Sequence, residues 1–391
     1  MIKIGVIGLG ERLGWMVKVF SQVGVDAKVV GVVDPNKKLA QSRLEGANRD
    51  AVFYPNLKTL VSKACPDALM IGTRCNLHTP YAIEAAAYDI PLFLEKPVAT
   101  SMDQAMALEK AYSKSKNPVV VSFPLRVSTL CRMMREQIEK GAVGRVEHIL
   151  GVNYVPYGTI YFDAAYRDYA ITQGLFLQKA AHDFDYMMYL ADAPITRISA
   201  MALKGRVFGG TKKPGLMCSQ CDEQRTCLES PENRKMNGSG GNDQDHPCVY
   251  GRDLGTPADG MNEDASSALF EFANGAQGVY TQVFFTRRDA GTRGATISGH
   301  LGTLSFDWNG GVGKYVRHHK PFTDTIKTPE GGAHFGGDSE LIRNFSNVIV
   351  HGEQSHTPMR AGLQSVYACL AAKESAEKGI FVKVRQVGKE I

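Results

Sequence analysis

IGVIGLGERLG, residues 4–14, decides the fold. An apolar run ends in Gly8 and Gly10 and an amphipathic stretch begins at once, the pattern of a buried strand turning tightly into a helix. At such a turn glycines let the backbone approach a pyrophosphate, and the unpaired amides of the helix start can bind it. Gly14 stands one residue beyond the third glycine of G-x-G-x-x-G, whose place Leu13 takes. The next apolar run, KVVGVVD, closes on Asp34, where a carboxylate can accept hydrogen bonds from the adenosine ribose hydroxyls. The turn and Asp34 together predict a dinucleotide, with Gly8, Gly10, Arg12, Leu13 and Asp34 at the cofactor. Asp34 favours NAD over NADP, while Lys37 and Lys38 just beyond it would suit a 2'-phosphate.

The same rhythm continues outward from this turn. DALMIGT, PLFLEKP and PVVVSF read as further buried strands, and the stretches around 11–24, 56–64, 78–88 and 101–115 suit helices, which predicts a doubly wound parallel sheet over residues 1–123. Beyond that point the style changes. One helical stretch, VSTLCRMMREQIEKG, leads to RVEHILGVNYV, and ASSALFEFANGAQGVYTQVFF and GATISGHLGTLSFDW read as antiparallel strands joined by tight turns. Residues 124–391 are therefore expected to form an α+β domain with an open, mostly antiparallel sheet. An insert at about 205–262, rich in Gly, Pro, Asn, Asp and Ser, is expected to be loop that buries little.

A chain of 391 residues has room for two cores, since single cores stop growing at roughly 250–300 residues. Composition is ordinary for a globular protein, at 43% hydrophobic and 22% charged. A net charge of +5 is too dilute to imply nucleic acid at this length, and there is no run of basic residues. No apolar run reaches the length of a membrane helix and the N-terminus lacks a signal-peptide pattern, so a cytoplasmic, soluble protein with reduced cysteines is expected.

FLEKPVAT at 93–100, TRCNLHTPYAIEAA at 73–86 and HDFDYMMYL at 182–190 resemble the glucose-fructose oxidoreductase, inositol dehydrogenase and MocA family. The resemblance extends over RVSTLCRMMREQIEKGAVGRV at the domain junction and AGLQSVYACLAAKESAEKGIFVKV near the C-terminus. It implies hydride exchange between a nicotinamide and a secondary alcohol of a sugar or cyclitol, and a homo-oligomer formed through the C-terminal sheet. It also implies that Lys96 and His182 flank the reacting hydroxyl, with Thr73, Asn76, His78, Glu95 and Lys96 on the cofactor. One departure matters: an Asp commonly precedes this His by four residues, and here that position is Gln178, followed by Lys179.

The residue chemistry agrees with these roles. Oxidising a carbinol requires the hydroxyl proton to leave, and an amine beside a positively charged nicotinamide should have a lowered pKa that lets it act as acid or base. Arg126, Tyr161, Gln178 and Lys179 are expected to bind substrate, and Tyr157, Tyr166, Arg167, His334 and Asp338 lie in segments that suit a sugar pocket. Asp185 would orient His182 or form a surface pair. The expected function is an NAD-dependent sugar or cyclitol oxidoreductase. Two alternatives stand beside it: a glycosidase that works through transient oxidation of the sugar, and a non-catalytic dinucleotide-binding regulator.

One motif lies outside the resemblance. C-x2-C-x5-C-x20-C, made by Cys218, Cys221, Cys227 and Cys248, supplies four soft ligands and predicts a closed, structural zinc site, with His246 able to replace one thiolate. The same thiolates would serve an iron–sulfur cluster, or remain thiols or disulfides. Cys65, Cys75, Cys131 and Cys369 show no such spacing.

Overall fold

Strands β1 (Ile2–Ile7), β2 (Ala27–Val33), β3 (Val52–Phe53), β4 (Ala68–Ile71), β5 (Leu92–Leu94) and β6 (Val119–Val121) pair in parallel in the order β3-β2-β1-β4-β5-β6. The computed structural model describes residues 1–238, 244–257, 260–328 and 333–388. Strands β4, β5 and β6 are buried at every position, as continuous apolar runs must be when helices cover both faces of a sheet. The helices are α1 (Glu11–Gln22), α2 (Lys37–Gln41), α3 (Leu57–Ala64), α4 (Cys75–Ala85) and α5 (Met102–Tyr112). Asn56 and Ser101 start α3 and α5 by accepting hydrogen bonds from the amides of Thr59 and Gln104. The strand order reverses between β1 and β4, and the C-terminal edge at such a switch point is where open α/β sheets bind ligands.

The second half begins with α6 (Thr129–Glu139), β7 (His148–Tyr154) and the short helices α7 (Ile160–Asp163) and α8 (Tyr169–Thr172). A π turn, Phe176–Ala180, then runs into α9 (Ala181–Ala191), which is buried at every position but Tyr189. After β8 (Ile195–Leu203) and α10 (Pro231–Asn237) come β9 (Ala265–Phe272), β10 (Gln277–Val283), β11 (Thr292–Ser298), β12 (Gly302–Asp307), β13 (Val312–Arg317) and β14 (Thr323–Lys327). Helices α11 (Gly337–His351) and α12 (Met359–Lys378) and strand β15 (Val382–Lys383) close the described chain. Nine strands form one sheet in the order β14-β13-β12-β11-β7-β10-β9-β8-β15, antiparallel except where β10 meets β7. The expected Asn274-Gly275 turn joins β9 to β10, with Gly275 at φ +87°. Helices α9 and α12 cover one face of this sheet.

Two features differ from a reading along the chain. Helix α11 packs against α1, and its Leu341, Ile342, Phe345 and Val348 join the apolar cluster of Ile4, Val6 and Phe93, so a distant segment completes the first layer. The insert at 205–262 is not plain loop: it carries α10, and its Phe208 and Val249 are buried with Val155, Phe162 and Phe284. Asp264 fixes its start by accepting hydrogen bonds from the amides of Arg206, Val207 and Phe208 at 2.8, 3.0 and 3.0 Å.

Candidate active site

The glycine turn forms a cradle at the end of β1. Gly8 sits at φ +76°, and a Cβ there would lie 2.7 Å from the Thr73 backbone, so neither the conformation nor the space admits a side chain. Gly10 opens α1 without a side-chain cap, and a Cβ on it would meet nothing nearer than the Gly72 carbonyl oxygen at 3.8 Å. Asp34 accepts the Leu9 and Asn36 amides at 2.8 Å each, which holds the turn beside the end of β2. Leu13 is buried over Gly72, whose Cβ would stand 2.4 Å from Leu13 Cγ; the close contact between helix and strand that a third glycine usually permits is made here by removing the opposite side chain. Free amides, an open cradle and a carboxylate at the next strand end fit a dinucleotide.

Arg12 projects from α1 into an ionic bridge. Its Nε donates to Glu95 at 3.0 Å, and its other nitrogens donate to the two Asp338 oxygens at 2.7 Å each. His334 Nδ1 lies 3.1 Å from the same carboxylate. Burial works to raise the Asp338 carboxyl, but the hydrogen bonds from His334 and Arg12 outweigh it and hold the group well below the usual carboxylate range.

The chemical end lies where β5 exits. Lys96 keeps part of its surface open to the cleft, but its ammonium is enclosed and donates to the Gln178 carbonyl oxygen. Burial pushes its pKa down to about 8, with the nearby charge of Lys179 adding to the effect. His182 is buried against the Phe123 ring at 5.9 Å, and its Nδ1 has no partner among the described residues. Burial and the charges of Lys96 and Arg293 hold the imidazole well below its ordinary pKa, so it is neutral. The π turn widens the backbone just before α9, at the position that gives Lys96 its acceptor and carries Lys179. Such turns recur at functional sites. Lys179 donates to the Tyr157 hydroxyl at 2.8 Å and stands over the rings of Tyr157 and Tyr161 at 4.9 and 5.9 Å.

Sequence reasoning missed the strongest polar contact in this neighbourhood. Arg293, on β11, donates through Nε and Nη2 to the two oxygens of Asp183 at 2.9 Å each, and Asp183 also accepts from Asn153 at 2.9 Å and Tyr280 at 2.8 Å. Arg293, Tyr157, His334, Asn153 and Asn309 line a cavity of about 230 Å³. The only signal for it was Asp183 lying next to His182; nothing in TRGATIS distinguishes Arg293 from a surface residue.

The remaining expected residues divide into two groups. Asn76 holds its side-chain oxygen buried and, among the described residues, without a partner. His78 is buried with its nitrogens 2.8 Å from the Pro97 carbonyl oxygen and 3.1 Å from that of Thr73, so it joins the end of β4 to the turn after Lys96. Arg126 is spent elsewhere: its guanidinium forms a two-point pair with Asp185, which is fully buried and neither orients His182 nor lies on the surface. Arg167 anchors the insert, donating to Asp253 at 2.6 Å and to the carbonyl oxygens of Phe162, Cys248 and Gly251. Tyr166 packs on Tyr161 at 5.7 Å.

The four cysteines of the motif lie near enough for Cys221, Cys227 and Cys248 to act on the Cys218 thiol. Cys218 and Cys248 are buried, and the Cys218 sulfur lies 3.7 Å from His246 Nδ1. Among the described residues, however, no group of three or more His, Cys, Asp or Glu side chains is placed to hold a metal ion, so the expected zinc site is not assembled. Burial first, and then the neighbouring Cys248, Cys227, Asp245 and Cys221, raise the Cys218 thiol to about 12. Phe208, Val249, Asp264 and Arg167 hold the insert to the rest of the domain.

Two family models match the chain: an oxidoreductase family with an NAD-binding Rossmann fold over residues 2–123, and the GFO/IDH/MocA C-terminal domain over residues 131–305. An inositol 2-dehydrogenase/D-chiro-inositol 3-dehydrogenase of Lacticaseibacillus casei is 27% identical over 207 residues, covering 51% of this chain and 55% of that protein. An inositol 2-dehydrogenase of Acidothermus cellulolyticus is 26% identical over 214 residues, covering 51% and 57%. The chain thus spans about half the length of these curated relatives. Among solved structures, levoglucosan dehydrogenase in complex with NADH and levoglucosan superposes with a TM-score of 0.76 at 18% identity, covering 98% of this chain and 100% of that one, which shows a shared fold. Together the two family models take in more than half of the residues, and the protein belongs to the GFO/IDH/MocA family of NAD-binding oxidoreductases.

Proposed function

We propose that the protein is an NAD-dependent dehydrogenase for a secondary alcohol of a sugar, sugar derivative or cyclitol. The observation that carries this reading is Lys96, an enclosed amine with a pKa of about 8 at the exit of β5, beside neutral His182 and close to the strand-order switch. The inositols and levoglucosan named for similar proteins are polyols of this class.

Gly8, Gly10 and the first amides of α1 would hold the pyrophosphate, Asp34 the adenosine ribose, and Asn76 the nicotinamide end. Bound NAD supplies the hydride acceptor. The neutral Lys96 amine takes the proton of the substrate hydroxyl while the electron pair of the carbinol C–H bond leaves as hydride, so the alcohol becomes a carbonyl and Lys96 becomes an ammonium. His182 places its unpartnered Nδ1 to hydrogen-bond the reacting oxygen. Because Asp34 would receive ribose hydroxyls and would repel a 2'-phosphate, NAD is the expected cofactor.

Self-association through the second sheet belongs to the same reading. Leu150, Val279 and Leu269 are direct neighbours across β7, β10 and β9 on the face turned away from α9 and α12, and Leu150 and Leu269 are 39% and 54% exposed. An apolar row of this kind on an open sheet suits a partner copy.

The test is a panel of polyols, free sugars, sugar acids and glycosides with NAD, following both NADH and sugar products. Steady NADH formation on a free polyol or sugar is expected. Release of a glycoside leaving group without net NADH would move the assignment to redox-assisted glycoside cleavage, and cofactor binding without turnover on any member would reject both.

A further inference from the structure

Lys179 is only 5% exposed, its hydrogen bond goes to the Tyr157 hydroxyl, and among the described residues no carboxylate lies within ion-pair distance of its ammonium. Buried charges in folded proteins are almost always paired, because removing an ion from water costs several kcal/mol that an opposite charge must offset. The nearby carboxylates are already committed. Asp183 receives Arg293, Asn153 and Tyr280, while Glu95 and Asp338 receive Arg12. On the substrate side Lys179 and Arg293 therefore share one carboxylate, Asp183. Arg293 has a third nitrogen that Asp183 does not use, and the residue lines the 230 Å³ cavity with two asparagines and with Tyr157, through whose hydroxyl Lys179 meets the cavity wall. A cavity of that size is smaller than most ligand sites and suits one monosaccharide unit.

We propose that the ligand supplies the missing negative charge: the site takes a sugar acid whose carboxylate lies against Lys179 and Arg293, with its polyol part toward Lys96. The word substrate for this ligand rests on the dehydrogenase reading, whereas the anion site itself does not. Two internal rivals stand against it: the Tyr157 phenolate would neutralise Lys179 without any ligand, and burial pushes the Lys179 amine toward its neutral form.

Calorimetric titration of the full chain saturated with NADH separates these cases without requiring turnover. The probes are D-gluconate and D-galacturonate against D-glucose, D-galactose and myo-inositol, with D-glucose 6-phosphate as a second anion. At least one sugar acid is expected to bind about tenfold or more tighter than its neutral parent, with an advantage that shrinks as salt rises. Lys179→Met should lose most of that advantage while still binding NADH. Tyr157→Glu places a carboxylate on the residue that meets the ammonium and should shift the preference toward the neutral sugars, a readout that remains if Lys179→Met does not fold. Neutral parents binding as tightly as the acids, an unchanged preference in Lys179→Met, tighter binding of the sugar phosphate than of either acid, or a phenolate absorbance at neutral pH that disappears in Tyr157→Phe would each overturn the proposal. A sugar acid that binds tightly and yields no NADH would support the anion site and reject only the dehydrogenase reading.

Discussion

Arg293 and Asp183 lie 110 positions apart in the chain and meet through two hydrogen bonds of 2.9 Å, with both side chains buried. The pair joins β11 to α9 directly behind the candidate site, so it fixes the helix that carries His182. Arg293→Met leaves the Asp183 charge buried and uncompensated and should cost about 3–5 kcal/mol, whereas adding Asp183→Asn should recover part of the loss. Urea unfolding of the two single variants and the double variant measures this. Costs that simply add would show that the pair is not coupled.

The pH dependence of the reaction follows from Lys96. Its folded pKa of about 8 lies below the ordinary lysine value of about 10.4, because burial penalises the ammonium. Alcohol oxidation needs the neutral amine, so its rate should rise through pH 8 and level off above, while carbonyl reduction needs the ammonium and should fall over the same range. Lys96→Met should remove this inflection and lower turnover by about a hundredfold or more, with NAD binding retained. Near-normal turnover by this variant would move the proton transfer to His182 or Lys179.

Asp34 should set cofactor choice. NAD is expected to bind more tightly than NADP, and Asp34→Ala should narrow the gap by weakening NAD, both through the lost ribose contact and through the loosened Leu9 amide. Fluorescence titration with the two reduced cofactors checks this. Equal dissociation constants in the unaltered protein would refute it.

The insert should come loose without its arginine anchor. Arg167→Ala removes charge-assisted hydrogen bonds to Asp253 and to three carbonyl oxygens, which are worth roughly 1.5–3 kcal/mol each when partners are left unpaired. Faster hydrogen exchange and new proteolytic cuts within 205–262 are expected, with cofactor affinity unchanged. If exchange in the insert stays as slow as before, Phe208 and Asp264 suffice to hold it.

Much of the first layer was legible because its determinants are local. A buried parallel strand writes itself as an apolar run, a glycine turn shows where backbone must come close to something, and Lys96 at a strand exit stands at the ligand edge by topology alone. The N-G turn and the alternating strands of the second sheet were legible for the same reason. The cysteine spacing gives ligand types in order along the chain, whereas a metal also needs their sulfurs to converge at bonding distance, which only packing decides.

What the sequence by itself determined is the two-layer plan, the dinucleotide turn, Asp34 and the Lys96 and His182 segments, since each rests on spacing within a few residues. Tertiary structure alone decided which charges are left over. Arg126 is neutralised by Asp185, Arg12 by Glu95 and Asp338, and Arg293 by Asp183, while Lys179, from the π turn before α9, meets among the described residues a phenol and no carboxylate. Pairing of buried charges is a through-space balance between desolvation and Coulomb attraction, and residues that share no local periodicity meet only when the two sheets and their helices pack.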